Sequence, residues 1–104
     1  MIRARYGRRG LFLDLRGHAQ AGPKGKDPVC AAASTLAFTA AAALQEEGER
    51  FYPRIVIRPG GMRISCEPAE GSRRACRRLL DTIWIGFELL ARDYPDCVSA
   101  EKEE

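Results

Sequence analysis

A chain of 104 residues suits one domain with a single modest core and is too short for two. Hydrophobic residues at 45% beside charged residues at 30% are the composition of an ordinary soluble globular protein. A net charge of +3 is too slight for strong electrostatic capture of a nucleic acid. The 17 basic side chains are nearly all arginine, a bias that suits phosphate or carboxylate recognition and that genome base composition also produces.

Ile2, Ala4 and Tyr6 alternate with Arg3 and Arg5, the period-two pattern of a strand with one buried face. Gly7-Arg8-Arg9-Gly10 turns the chain, and Leu11, Leu13 and Leu15 resume the alternation, so the segment reads as a hairpin. Met1 opens directly into this pattern without a signal peptide, which points to the cytoplasm and free thiols. Arg16 to Lys26 lacks periodicity and carries Gly17, Gly22, Pro23 and Gly25, so it reads as a loop with His18 at its start.

A helix follows with clear punctuation. Asp27 is a good N-cap, because its carboxylate accepts from the free N–H groups of the first turn. Pro28 suits the first helical position, where its missing N–H costs nothing. Cys30 then falls at about the third helical residue, and the helix runs to roughly Glu47 with Gly48 as its stop. Glu46 and Glu47 in the last turn have the wrong sign for the helix dipole. Pro28 to Gln45 carries no charge and approaches the length of a membrane span, but its alanines and interspersed Ser34, Thr35 and Thr39 read as a buried helix of a soluble protein.

Phe51 to Arg58 alternates again, with Pro53 suited to a strand's start or edge. Pro59-Gly60-Gly61 turns the chain into a returning strand through Met62, Ile64 and Cys66. A second amphipathic helix spans about Ser72 to Tyr94, with Cys76, Leu80, Trp84 and Phe87 on its apolar stripe. Cys97 to Ala100 leaves room for a short edge strand, and the charged tail 101–104 is expected to fray. The order strand-strand-helix-strand-strand-helix defines a two-layer α+β domain over 1–100, with helices on an antiparallel or mixed sheet.

The chemistry concentrates at His18 and Cys30. The thiolate is the reactive form of cysteine, and both a helix N-terminus and a neighbouring imidazolium favour it. His18 is the single histidine, and a loop folding back brings it towards Cys30 as a base for a nucleophile. Free N–H groups of the first helical turn are expected to steady the oxyanion formed on attack. Ser34, four residues beyond Cys30, shares its helix face and is placed to orient the thiol or bind substrate. Competing with this reading, a cysteine near a helix start is often an inert buried hydrophobe. Cys66, Cys76 and Cys97 fit that description, no pair has metal-ligand spacing, and neither a metal nor a cofactor is expected.

Gly17-His18-Ala19, Gly25 and Asp27-Pro28-Val29-Cys30-Ala31-Ala32-Ala33-Ser34 resemble the signature of the ribosomal-processing cysteine protease family, Prp. The resemblance implies that Cys30 is the nucleophile and His18 the base, with Asp27, Ser34, Gly17, Gly22 and Gly25 supporting them or binding substrate. It also implies removal of a short N-terminal extension from large-subunit ribosomal protein L-twenty-seven and a homodimer; from the composition of the first helix, no membrane partner is expected. Two positions depart from the family pattern: Pro28 replaces an aliphatic residue, and Gln20 replaces a common glycine after the histidine.

A non-catalytic, ribosome-associated RNA- or protein-binding module is the alternative. It rests on Arg73, Arg74, Arg77 and Arg78 at the start of the second helix, with Arg8 and Arg9 at the hairpin tip. Without interleaved aromatic residues those arginines read better as a solvated helix face, so RNA contact is not expected there.

Overall fold

The computed structural model describes residues 1–17 and 27–104. Strands β1 (Ile2–Gly7) and β2 (Phe12–Arg16) form the first hairpin, followed by helix α1 (Pro28–Glu47). A single 3-10 turn, Gly48–Arg50, leads to the second hairpin, β3 (Pro53–Arg58) and β4 (Gly61–Cys66). Helix α2 (Arg73–Asp93) and strand β5 (Val98–Glu103) complete the chain. The sheet has the order β3-β4-β2-β1-β5 and is antiparallel except for the β1–β5 pair. The α+β class and the mixed sheet agree with the order read from the sequence.

Alternation explains the layering. Ile2, Ala4 and Tyr6 of β1 and Met62, Ile64 and Cys66 of β4 turn inward, while the arginines between them turn to the other face. The helices supply the opposing layer: α1 through Ala33, Ala37, Ala40 and Leu44, α2 through Cys76, Leu80, Trp84 and Phe87. That alanine line buries a third of the apolar window of α1, which has the length and hydropathy of a membrane span. The two helices meet at Gly86, where an added Cβ would lie 2.5 Å from Leu36 Cδ2 and would push that side chain aside. Tyr6 anchors β1 to α2: its hydroxyl donates to Asp81 Oδ1 at 2.8 Å, and Arg8 Nε donates to the same oxygen at 3.0 Å.

Three expectations change. Residues 101–103 do not form a free tail: Glu101, Lys102 and Glu103 pair in parallel with Arg5, Tyr6 and Gly7, and Arg5 holds Glu103 in an ion pair. Charge complementarity across the strands outweighs the tail's polarity. Strand β3 begins at Pro53 rather than Phe51, because Phe51 closes the 3-10 turn through its N–H to Gly48 O and is buried in the core. The acidic end of α1 is offset locally, with Arg50 Nη1 3.2 Å from Glu47 Oε1.

Candidate active site

The first turn of α1 forms as its sequence dictates. Asp27 lies in extended backbone before Pro28, and its Oδ1 accepts the N–H groups of Val29 and Cys30, both at 3.0 Å. The Asp27 carbonyl accepts from Ala31 N–H at 3.1 Å. Cys30 is thereby fixed as the third helical residue with its side chain partly exposed.

The same geometry overturns the expected oxyanion donors. Pro28 has no N–H, and those of Val29, Cys30 and Ala31 are engaged by Asp27. An N-cap that satisfies the first turn leaves no donor of that turn pointing at a reacting carbonyl.

Cys30 lines a groove of about 230 Å³ between α1 and the β3–β4 turn. Ser34 lies in the same wall, one helical turn beyond Cys30, and Gly17 lies at the groove's end. Phe38 and Ile57, 52% and 60% exposed, give the groove apolar sides that the core does not use. Gly17 is held by its N–H to Gly60 O at 2.9 Å. It has φ +93°, and a Cβ there would lie 2.1 Å from Met1 O. Glycine is therefore required at the residue that directly precedes His18. His18, Gly22 and Gly25 lie outside the described residues. The structure brings Cys30, Ser34 and Gly17 together, with Asp27 fixing the helix start.

The remaining thiols differ in setting. Cys66 and Cys76 are buried and hydrogen-bonded to one another. The shared hydrogen bond and burial push Cys66 up; the same bond, against burial and aided by Arg73 and Arg77, brings Cys76 down. Cys97 is partly exposed but lies before β5, away from the groove lining. Among the described residues no group of histidine, cysteine and carboxylate side chains is arranged to hold a metal.

The α2 arginines also have an assignment that sequence reasoning missed. Arg73 Nη2 donates to the Arg9 carbonyl, and Arg77 Nε donates to the Arg8 carbonyl at 3.3 Å. They tie the first hairpin's tip to α2, so their positions answer to the fold rather than to a ligand. The signal available in sequence was the Gly-Arg-Arg-Gly tip, whose turn carbonyls need donors.

The family model for cysteine protease Prp matches residues 1–99. A comparison with curated protein sequences gives no match. Similar solved structures include the essential ribosomal processing protease Prp of S. aureus with a covalently linked product peptide. That structure superposes with TM-score 0.80 at 20% identity, covering 98% of this chain and 97% of that one. The same S. aureus protease with a substrate peptide gives TM-score 0.73 at 19% identity, again covering 98% and 97%. SMU.848 from Streptococcus mutans gives 0.72 at 28% identity, covering 98% of this chain and 93% of that one.

Proposed function

Because the chain belongs to the cysteine protease Prp family, we propose that it removes the N-terminal extension of ribosomal protein L-twenty-seven, with Cys30 as nucleophile and His18 as general base. The supporting observation is the position of Cys30, partly exposed in a capped first helical turn and on the wall of a groove of about 230 Å³. The S. aureus relatives are described with product and substrate peptides, which supports a peptide as the occupant.

In this reading His18 takes the thiol proton, and the thiolate attacks the carbonyl carbon of the scissile bond. The imidazolium then returns the proton to the leaving amine as the tetrahedral intermediate collapses to a thioester. Water, deprotonated by His18, hydrolyses the thioester and releases the new carboxylate and free Cys30. Ser34 positions the bound peptide or the thiol, while Phe38 and Ile57 offer apolar contacts to substrate side chains. Gly17 fixes the backbone at the residue that directly precedes the base. The oxyanion is stabilised by donors outside the first turn of α1.

The reading includes a cytoplasmic homodimer, tested by sedimentation and cell fractionation. The activity is tested with a synthetic peptide spanning the extension and the mature N-terminus, followed by mass spectrometry. A single cut, abolished in Cys30→Ala and nearly so in His18→Ala, is the expected result. Full cleavage by Cys30→Ala would overturn the assignment. Of the arginines behind the non-catalytic alternative, Arg73 and Arg77 donate to hairpin carbonyls.

A further inference from the structure

The helices leave one face of the sheet open, and strand register gathers arginine there. Arg58, Arg16 and Arg3 fall in one cross-strand row, through Gly61. Arg63, Asp14 and Arg5 form the next row, and Arg54 lies on the third. On the β1–β5 side Arg5 is balanced, opposite Glu101 in register and in an ion pair with Glu103, while Arg3 lies opposite Ser99. The β3–β4–β2 side is not balanced: among the described residues Arg16, Arg54, Arg58 and Arg63 are accompanied there by one carboxylate, Asp14, which pairs with Arg16 and Arg63. These five side chains line a hollow of about 500 Å³ that does not reach Cys30 but adjoins its groove, sharing Arg58 and the β3–β4 turn with it.

The arginines are organised rather than loose. Asp14 is buried on this face, its side chain 6% exposed, with Arg16, Arg63 and Arg5 at 3.4, 3.6 and 3.9 Å. Arg63 is further held over the Phe12 ring, 4.4 Å from its centroid. Arg54 and Arg58 have no acidic partner among the described residues and remain exposed. One carboxylate thus orders a fan of guanidinium groups while leaving most of their charge uncompensated.

We propose that this face binds the phosphate backbone of a nucleic-acid strand, independently of sequence. Guanidinium forks match phosphate oxygens in pairs, and Arg54 and Arg58, four residues apart on one face of β3, stand about 13 Å apart. Phe12 is already stacked beneath Arg63 and so is not a platform for bases, which leaves the backbone as the recognised element. A second copy of this chain fits poorly, because face-to-face packing would bury more guanidinium groups than carboxylates to pair with them. Arg58 also borders the groove at Cys30, whereas Arg16, Arg54 and Arg63 do not, so substitutions at Arg16 and Arg54 separate this inference from the peptidase reading.

The test is fluorescence anisotropy of the full chain with a labelled, mixed-sequence 12-nucleotide single-stranded RNA. If four arginines engage phosphates, affinity falls with a log–log salt slope of about −3, or about 50-fold between 50 and 200 mM salt. Arg16→Gln with Arg54→Gln is expected to halve that slope and weaken binding at least tenfold at 50 mM salt, with peptide cleavage unchanged. Arg54→Glu, at an exposed position without an ion pair, gives a second variant that keeps the fold. Absence of binding at 50 mM salt, or wild-type binding by both variants, would overturn the proposal. Polyglutamate competing as well as RNA at equal charge would assign the face to an acidic protein instead. A dimer dissolved by the double variant without RNA would assign it to self-contact.

Discussion

Replacing Asp27 by alanine removes the acceptor for two backbone N–H groups at once, those of Val29 and Cys30, each 3.0 Å from Oδ1. Loss of an N-cap side chain costs about 0.5–2 kcal/mol. A charged acceptor engaged twice, beside a proline without its own N–H, belongs in the upper half of that range, at about 1–2 kcal/mol. For a domain of this size, 1 kcal/mol moves Tm by about 4–8 °C, so Asp27→Ala is expected to melt roughly 5–12 °C lower. Asp27→Asn keeps a side-chain oxygen in reach and is expected to recover more than half of the loss. Thermal melts of the three proteins, followed by far-UV circular dichroism, measure the difference. Steady-state cleavage of the extension peptide gives the second readout: fraying of the turn that holds Cys30 lowers kcat/KM in Asp27→Ala at temperatures where the domain is still folded. An unchanged Tm in Asp27→Ala would refute the cap as the element that fixes Cys30.

Other consequences are equally open to measurement. Gly17→Ala places a Cβ against Met1 O in a backbone region unfavourable to side chains, so it should cost about 1–3 kcal/mol in denaturant melts and reduce cleavage; a wild-type Tm would contradict the close approach. Burial followed by the bond to Asp81 raises the Tyr6 hydroxyl above its ordinary value of 10. The folded state therefore keeps a proton that the unfolded state loses, and stability should decline as pH rises past 10. Tyr6→Phe, which has no such proton, should flatten that decline. Burial of Asp81 is outweighed by hydrogen bonds from Arg8 and Tyr6, so its carboxyl titrates below the usual 3.8. That stabilisation is complete above pH 3.8 and is lost as pH falls through the lower folded value, so Asp81→Asn should flatten the acid limb. Arg77→Ala should lower Tm through the freed Arg8 carbonyl while leaving RNA affinity within twofold.

The features legible in the sequence are those encoded by near neighbours. Asp27-Pro28 announces the start of α1 because capping and the N1 preference of proline act within a few residues. The stripe Cys76-Leu80-Trp84-Phe87 reveals α2, and Pro53 correctly marks an edge strand, since β3 ends the sheet. The long-range pairings were not legible. Glu101 to Glu103 look like a tail until Arg5 is placed beside them by the parallel β1–β5 register, nearly a chain length away. Asp14 reads as one polar residue of an alternating strand, and its burial depends on arginines from β1, β2 and β4 arriving on the same face. The occupied N–H groups at Cys30 were deducible, because the carboxylate that caps a helix consumes the donors an oxyanion would need.

The central claim is that Cys30 is the nucleophile. Its most direct test is to react the protein with a chloromethyl ketone built on the extension peptide and to map the adduct by peptide mass spectrometry. The account predicts one adduct per chain, on Cys30 alone, formed in step with loss of cleavage and blocked by excess substrate peptide. An adduct on Cys97, or full inactivation with Cys30 unmodified, would contradict it.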